Sequence, residues 1–79
     1  MRLKPAVLAG LARHGITPEP DDASETLRER LNDAYLEDVR RLRRRQVGGE
    51  IPLREYSAHV QALKESYPLL GLPLALWTE

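Results

Sequence analysis

Five arginines fall within six positions: Arg40, Arg41, Arg43, Arg44 and Arg45. Guanidinium groups grip phosphates, and each contact with a nucleic-acid backbone releases condensed counterions. The cluster therefore admits a nucleic-acid reading. At about 100° per helical residue, however, the five side chains point around most of the helix, whereas a groove reader presents a one-sided basic patch. No aromatic platform for stacked bases lies close by. The same cluster also suits a solvated helix end that complements the helix dipole, or a contact with an acidic protein surface.

Two smaller groupings carry chemical possibilities. Glu55 and His59 stand one helical turn apart, a spacing that presents two ligands to a metal or a base to its orienting partner. No third ligand is visible for them, and His14 is far away in sequence. With Leu27 set at zero, Asp38 falls at about 20° on a helical wheel, between Leu31 at about 40° and the opposite edge of the apolar stripe. A carboxylate there is costly unless paired, so an arginine partner is expected, with Arg41 and Arg45 nearest. The chain has no Cys, which excludes disulfides, thiolate metal sites and thiol catalysis. No nucleophile–base pair, phosphate loop or metal constellation emerges. The chain reads as not an enzyme, without cofactor or metal.

The elements that position these groups follow from patterning. The chain has 79 residues, with formal net charge zero, 42% hydrophobic and 30% charged. That composition is globular, and the length allows one domain, residues 1–79. Its core must be thin, so support from a partner is expected. No apolar run approaches the roughly 18 residues of a membrane span. The apolar stretch near Met1 is short and ends at Arg13-His14, so the expectation is a cytoplasmic protein rather than one with a secretory signal.

Pro5 suits a first helical position, and Leu3, Val7, Leu8 and Leu11 give a helical apolar face, which predicts a helix over 5–14. Gly15 then offers the left-handed conformation that closes a helix, with Ile16 reaching back to Leu11. Pro18 and Pro20 hold a connector extended. Asp22 and Glu25 have the spacing of a capping box for a second helix over 23–47, with Leu27, Leu31, Ala34, Tyr35, Val39 and Leu42 on one face. Positions 19–38 carry eight acids and two bases, and positions 39–49 carry five Arg and no acid. Gly48-Gly49 ends that helix, and a third is predicted over 52–67, with Leu53, Tyr56, Val60, Leu63 and Tyr67 aligned. Pro68 stops it. Gly71 and Pro73 keep the apolar tail, Leu69 to Trp77, out of any regular helix. The prediction is an all-α domain: three helices, an antiparallel hairpin of the second and third, and an extended, docked C-terminal tail.

The segment Val39-x-x-Leu42, Gly49-x-Ile51-Pro52-x-x-Glu55-Tyr56 and Leu63 resembles the bacterial SHOCT-type short helical hairpin. Pro52 stands where that pattern has Ser or Thr. The likeness covers residues 39–67 and implies a small interaction or oligomerisation element.

Composition, hairpin and tail together predict a small non-catalytic protein–protein interaction module, most naturally a homodimer. The tail must hide Leu69, Leu70, Leu72, Leu74, Leu76 and Trp77, and Leu36 lies opposite the apolar stripe of the long helix. A two-fold dimer would cover both. The rival is a nucleic-acid-binding accessory protein using the arginine cluster.

Overall fold

A computed structural model describes residues 2–79. Its helices are α1 (Pro5–Ala12), α2 (Ser24–Val47) and α3 (Leu53–Glu65), followed by short 3-10 turns at Pro68–Gly71 and Leu74–Leu76. The all-α class is as the patterning predicts, and α2 and α3 pack as a hairpin. At about 1.5 Å per residue, α2 is roughly 36 Å long. It forms the spine of a rod measuring 45 × 18 × 16 Å. No helix among the described residues is long and apolar enough to cross a membrane.

Two glycines stop the first two helices in the same way. Gly15 has φ +74° and Gly49 has φ +87°. After α1, the Ile16 amide donates to the Leu11 carbonyl and the Gly15 amide to Ala12, both at 3.0 Å. After α2, Glu50 donates to Arg45 at 2.9 Å and Gly49 to Gln46 at 3.1 Å. These are two Schellman closures, which satisfy the last carbonyls of each helix. At the first, Ile16 packs against the core that contains Leu11. At the second, an ion pair replaces the usual apolar clasp: Arg45 Nε lies 2.7 Å from Glu50 Oε2.

The start of α2 differs from expectation. Asp22 does not cap it; Ala23 occupies that position and no side chain caps the helix. The Asp22 carboxylate instead accepts the Glu19 amide at 2.9 Å and pairs with Arg30 at 2.9 Å. The Glu19 amide does most to hold the Asp22 carboxyl below the usual range; burial opposes this, and Arg30 adds to it. The proline-bounded connector thus turns on its own carboxylate, one residue too early for that group to serve the helix.

The core gathers at one end of the rod. Val7 and Leu11 from α1, Leu27 and Leu31 from α2, and Tyr67, Leu69 and Trp77 from the C-terminal segment form its buried cluster. Trp77 is 0% exposed. Its indole N–H donates to the Leu72 carbonyl at 3.2 Å, so burial leaves no orphaned polar atom. Its own carbonyl accepts the Lys4 amide at 2.9 Å, and Leu3 and Thr78 form an antiparallel bridge. The Arg28 guanidinium ties α2 to the tail through the Leu70 carbonyl. The tail is docked, as predicted. It runs through two 3-10 turns joined by extended residues rather than as one extended segment. Docking also requires close approach at Gly10, where a Cβ would sit 2.7 Å from Leu69 Cδ1.

Beyond this core the hairpin continues alone. Leu42 and Ile51 are buried near its tip, but they lie outside the main cluster. α3 contributes no buried residue.

Two outcomes test this arrangement. Gly15→Ala should destabilise by about 1 kcal/mol, the cost of a Cβ at positive φ, since open space surrounds the site. Gly71→Ala, also in open space but without positive φ, should change little. Trp77→Ala should cost about 3–5 kcal/mol in denaturant titration, a large share of a small domain's stability. Loss of less than 1 kcal/mol there would mean the tail is not part of the core.

Candidate functional site

The arginine cluster sits on the second half of α2, and most of it faces acids. Glu37 is the hub: Arg40, Arg44 and Arg41 lie 3.5, 3.7 and 4.0 Å from its carboxylate. Arg41 also reaches Asp38 at 3.4 Å, and Arg45 holds Glu50. These pairs are exposed and each contributes little to stability. Their effect is on the field. Four of the five guanidinium groups have a carboxylate beside them, which blunts the attraction for phosphate. Arg43 is different. Among the described residues it has no acidic partner, and it points from the face of α2 opposite the core.

Asp38 links α2 to a residue that follows α3. Its side chain is 32% exposed. Oδ1 takes the Arg41 contact, as the stripe position predicts. Oδ2 accepts the Tyr67 hydroxyl at 2.5 Å, a partner the sequence did not reveal. Tyr67 follows α3 and is buried. The His14 ring, just past α1, stacks on Tyr67 with centroids 3.8 Å apart, and Tyr35 of α2 meets it edge-on at 5.3 Å. His14 Nε2 donates to the Ser66 carbonyl at 2.7 Å, which fixes its tautomer. Burial pushes the Tyr67 phenol well above its ordinary value, and the Asp38 carboxylate adds to the push. A phenol held protonated is a poor nucleophile or base. The arrangement joins α1, α2 and α3 as a polar clasp.

The remaining candidates stand apart. Glu55 and His59 are both exposed on α3. Among the described residues no three His, Asp or Glu side chains gather as metal ligands. An open cleft of about 570 Å³ lies between the start of α1 and the connector, lined by Arg2, Leu8, Pro18 and Glu19 among others.

The residues expected at an interface divide. Leu69 and Trp77 are buried in the chain's own core, and Leu70, Leu72 and Leu74 pack against it. The chain itself therefore covers most of the tail. Leu76 remains 48% exposed and Leu36 40% exposed. The tip of the hairpin adds an apolar surface that patterning missed: Val47 and Leu53 are each 73% exposed. They counted as helix residues in the sequence. Their exposure follows from a hairpin that outruns the core: the sequence signals an uncovered long helix, roughly 36 Å against a short α1, but not which residues are left bare.

The Tyr67–Asp38 contact has a pH signature. A phenol whose folded value is raised contributes stability that is intact below its unfolded value, about 10, and is lost as pH rises toward the folded value. Wild-type stability should therefore fall between about pH 10 and 12 by up to roughly 1.4 kcal/mol per unit. Tyr67→Phe should be less stable at pH 7 by about 1–2 kcal/mol and show a shallower alkaline loss. Equal slopes in denaturant titrations across that range would refute the coupling.

Comparison with known proteins finds no family, no curated protein and no solved structure that matches this chain.

Proposed function

We propose that the chain is a small non-catalytic protein–protein interaction module that self-associates through its helical hairpin. The observation that carries this reading is the thinness of the hairpin. Over its distal half only two helices face each other, α3 buries no residue, and Leu36, Val47 and Leu53 are presented to solvent. A two-helix layer with apolar residues on its outside gains stability when another helical surface is laid against it. The likeness of residues 39–67 to the SHOCT-type hairpin points the same way. The tail, by contrast, serves the chain's own core, so Leu69, Leu70, Leu72, Leu74 and Trp77 are structural in this reading and Leu36 is the interface residue.

The polar clusters support a binding rather than a catalytic role. Tyr67 is held protonated against Asp38. Arg40, Arg41, Arg44 and Arg45 are engaged by Glu37, Asp38 and Glu50, and the formal net charge is zero. That neutralisation weakens the nucleic-acid reading.

Sedimentation of the purified chain from about 1 to 100 μM tests the proposal. A concentration-dependent shift from one to two chain masses is expected. A single chain mass throughout overturns self-association. In parallel, duplex DNA and RNA should show no micromolar binding at physiological salt. Affinity that falls steeply with log salt, and that disappears in Arg43→Ala/Arg44→Ala, would favour the nucleic-acid alternative.

A further inference from the structure

The outward face of α2 has a symmetry that its inward face lacks. Glu29, Leu36 and Arg43 are spaced by seven residues, two helical turns, and all three are exposed. They lie within about 20° of one line along the helix. Asn32 and Arg40 flank Leu36 four residues to either side. Leu36 is the midpoint: acid lies seven positions before it and base seven positions after it. Among the described residues, neither Glu29 nor Arg43 has an ion-pair partner, although most of the other charges on the second half of α2 do. Between Glu29 and Arg43 the stripe is therefore complementary to itself when one copy is turned end for end; Glu25 and Val47, farther out on the same line, are not complementary to each other.

We infer that two copies of this chain pair through α2 in an antiparallel, two-fold arrangement centred on Leu36, with Glu29 of each protomer facing Arg43 of the other. This rests on the self-association proposed above and adds its face, direction and register. Turning the helix about Leu36 brings residue 36 onto its own copy, residue 29 onto 43, and residue 32 onto 40. Each protomer then supplies the missing partner of the other's free carboxylate and free guanidinium, and Arg40 meets an amide carbonyl acceptor at Asn32. A parallel pairing would instead set Glu29 against Glu29 and Arg43 against Arg43, with like charges at both ends of the line. Charge order thus specifies direction, as at other self-complementary interfaces. The area on a single helix face is at the small end for protein pairs, so the dimer is weak, reversible and salt-sensitive.

Charge exchange in the full chain tests the register. Glu29→Arg places Arg against Arg43 of the other copy, and Arg43→Glu places Glu against Glu29. Each single variant should weaken the dimer about tenfold or more in sedimentation. The double variant Glu29→Arg/Arg43→Glu re-forms both pairs with reversed sign and should return to within about threefold of wild type. Leu36→Asp should abolish dimerisation. All four variants alter exposed side chains, so circular dichroism, and melting at dilution where wild type is monomeric, should remain those of wild type and separate loss of pairing from loss of fold. A dimer untouched by the single exchanges, or weakened by them and not restored by the double, overturns this register while leaving self-association in place. A wild-type chain that stays monomeric at about 100 μM overturns both.

Discussion

The structure depends on the burial of Trp77 between α1 and α2. A helix of eight residues and a helix of 24 cannot enclose a core by themselves. Val7 and Leu11 of the first and Leu27 and Leu31 of the second become a closed cluster only because the indole, with Tyr67 and Leu69, fills the space among them. The backbone around the indole is held as firmly as the ring. Lys4 donates to its carbonyl, and Leu3 and Thr78 bridge on either side. Remove that closure and α1 keeps its contacts with Leu69 and Tyr67 but loses the indole that completes the burial of Val7 and Leu11.

The helices were legible in the sequence because the signals there are local. Apolar residues at helical spacing, Pro5 at the first turn and the glycines at positions 15 and 49 each act within a few residues, and the observed helices match them within one or two positions at most ends. Asp22 shows where local chemistry is ambiguous. Its carboxylate can cap a helix or close a turn, and the proline-rich connector took it for the turn. Asp38 shows the other limit. Its arginine partner, three residues on, could be read from the wheel. Its tyrosine partner, 29 residues on, depends on the register of the hairpin, which no local pattern reports. His14 was equally hidden: its neighbour Tyr67 is reached only after the chain has folded back.

The tail illustrates how a correct physical demand can be met in an unforeseen way. Five leucines and a tryptophan cannot stay in water, and the sequence says so plainly. What it does not say is whether the cover is the same chain or another. Gly71 and Pro73 break the segment into two tight turns, and that bending lets Leu69 reach α1 at Gly10 while Trp77 reaches the core a few residues later. A straight extended tail would have carried the indole past it. With most of the tail satisfied internally, the large apolar side chains left exposed are Leu36, Val47 and Leu53 on the hairpin and Leu8 and Leu76 near the core.

The bridge between Leu3 and Thr78 joins residues 75 positions apart. Closing a loop of that length has a larger entropic cost than closing the handful of residues in the α2–α3 turn. The order of assembly follows. The hairpin can form early from neighbouring segments, and α1 and the tail lock together late, when the indole enters.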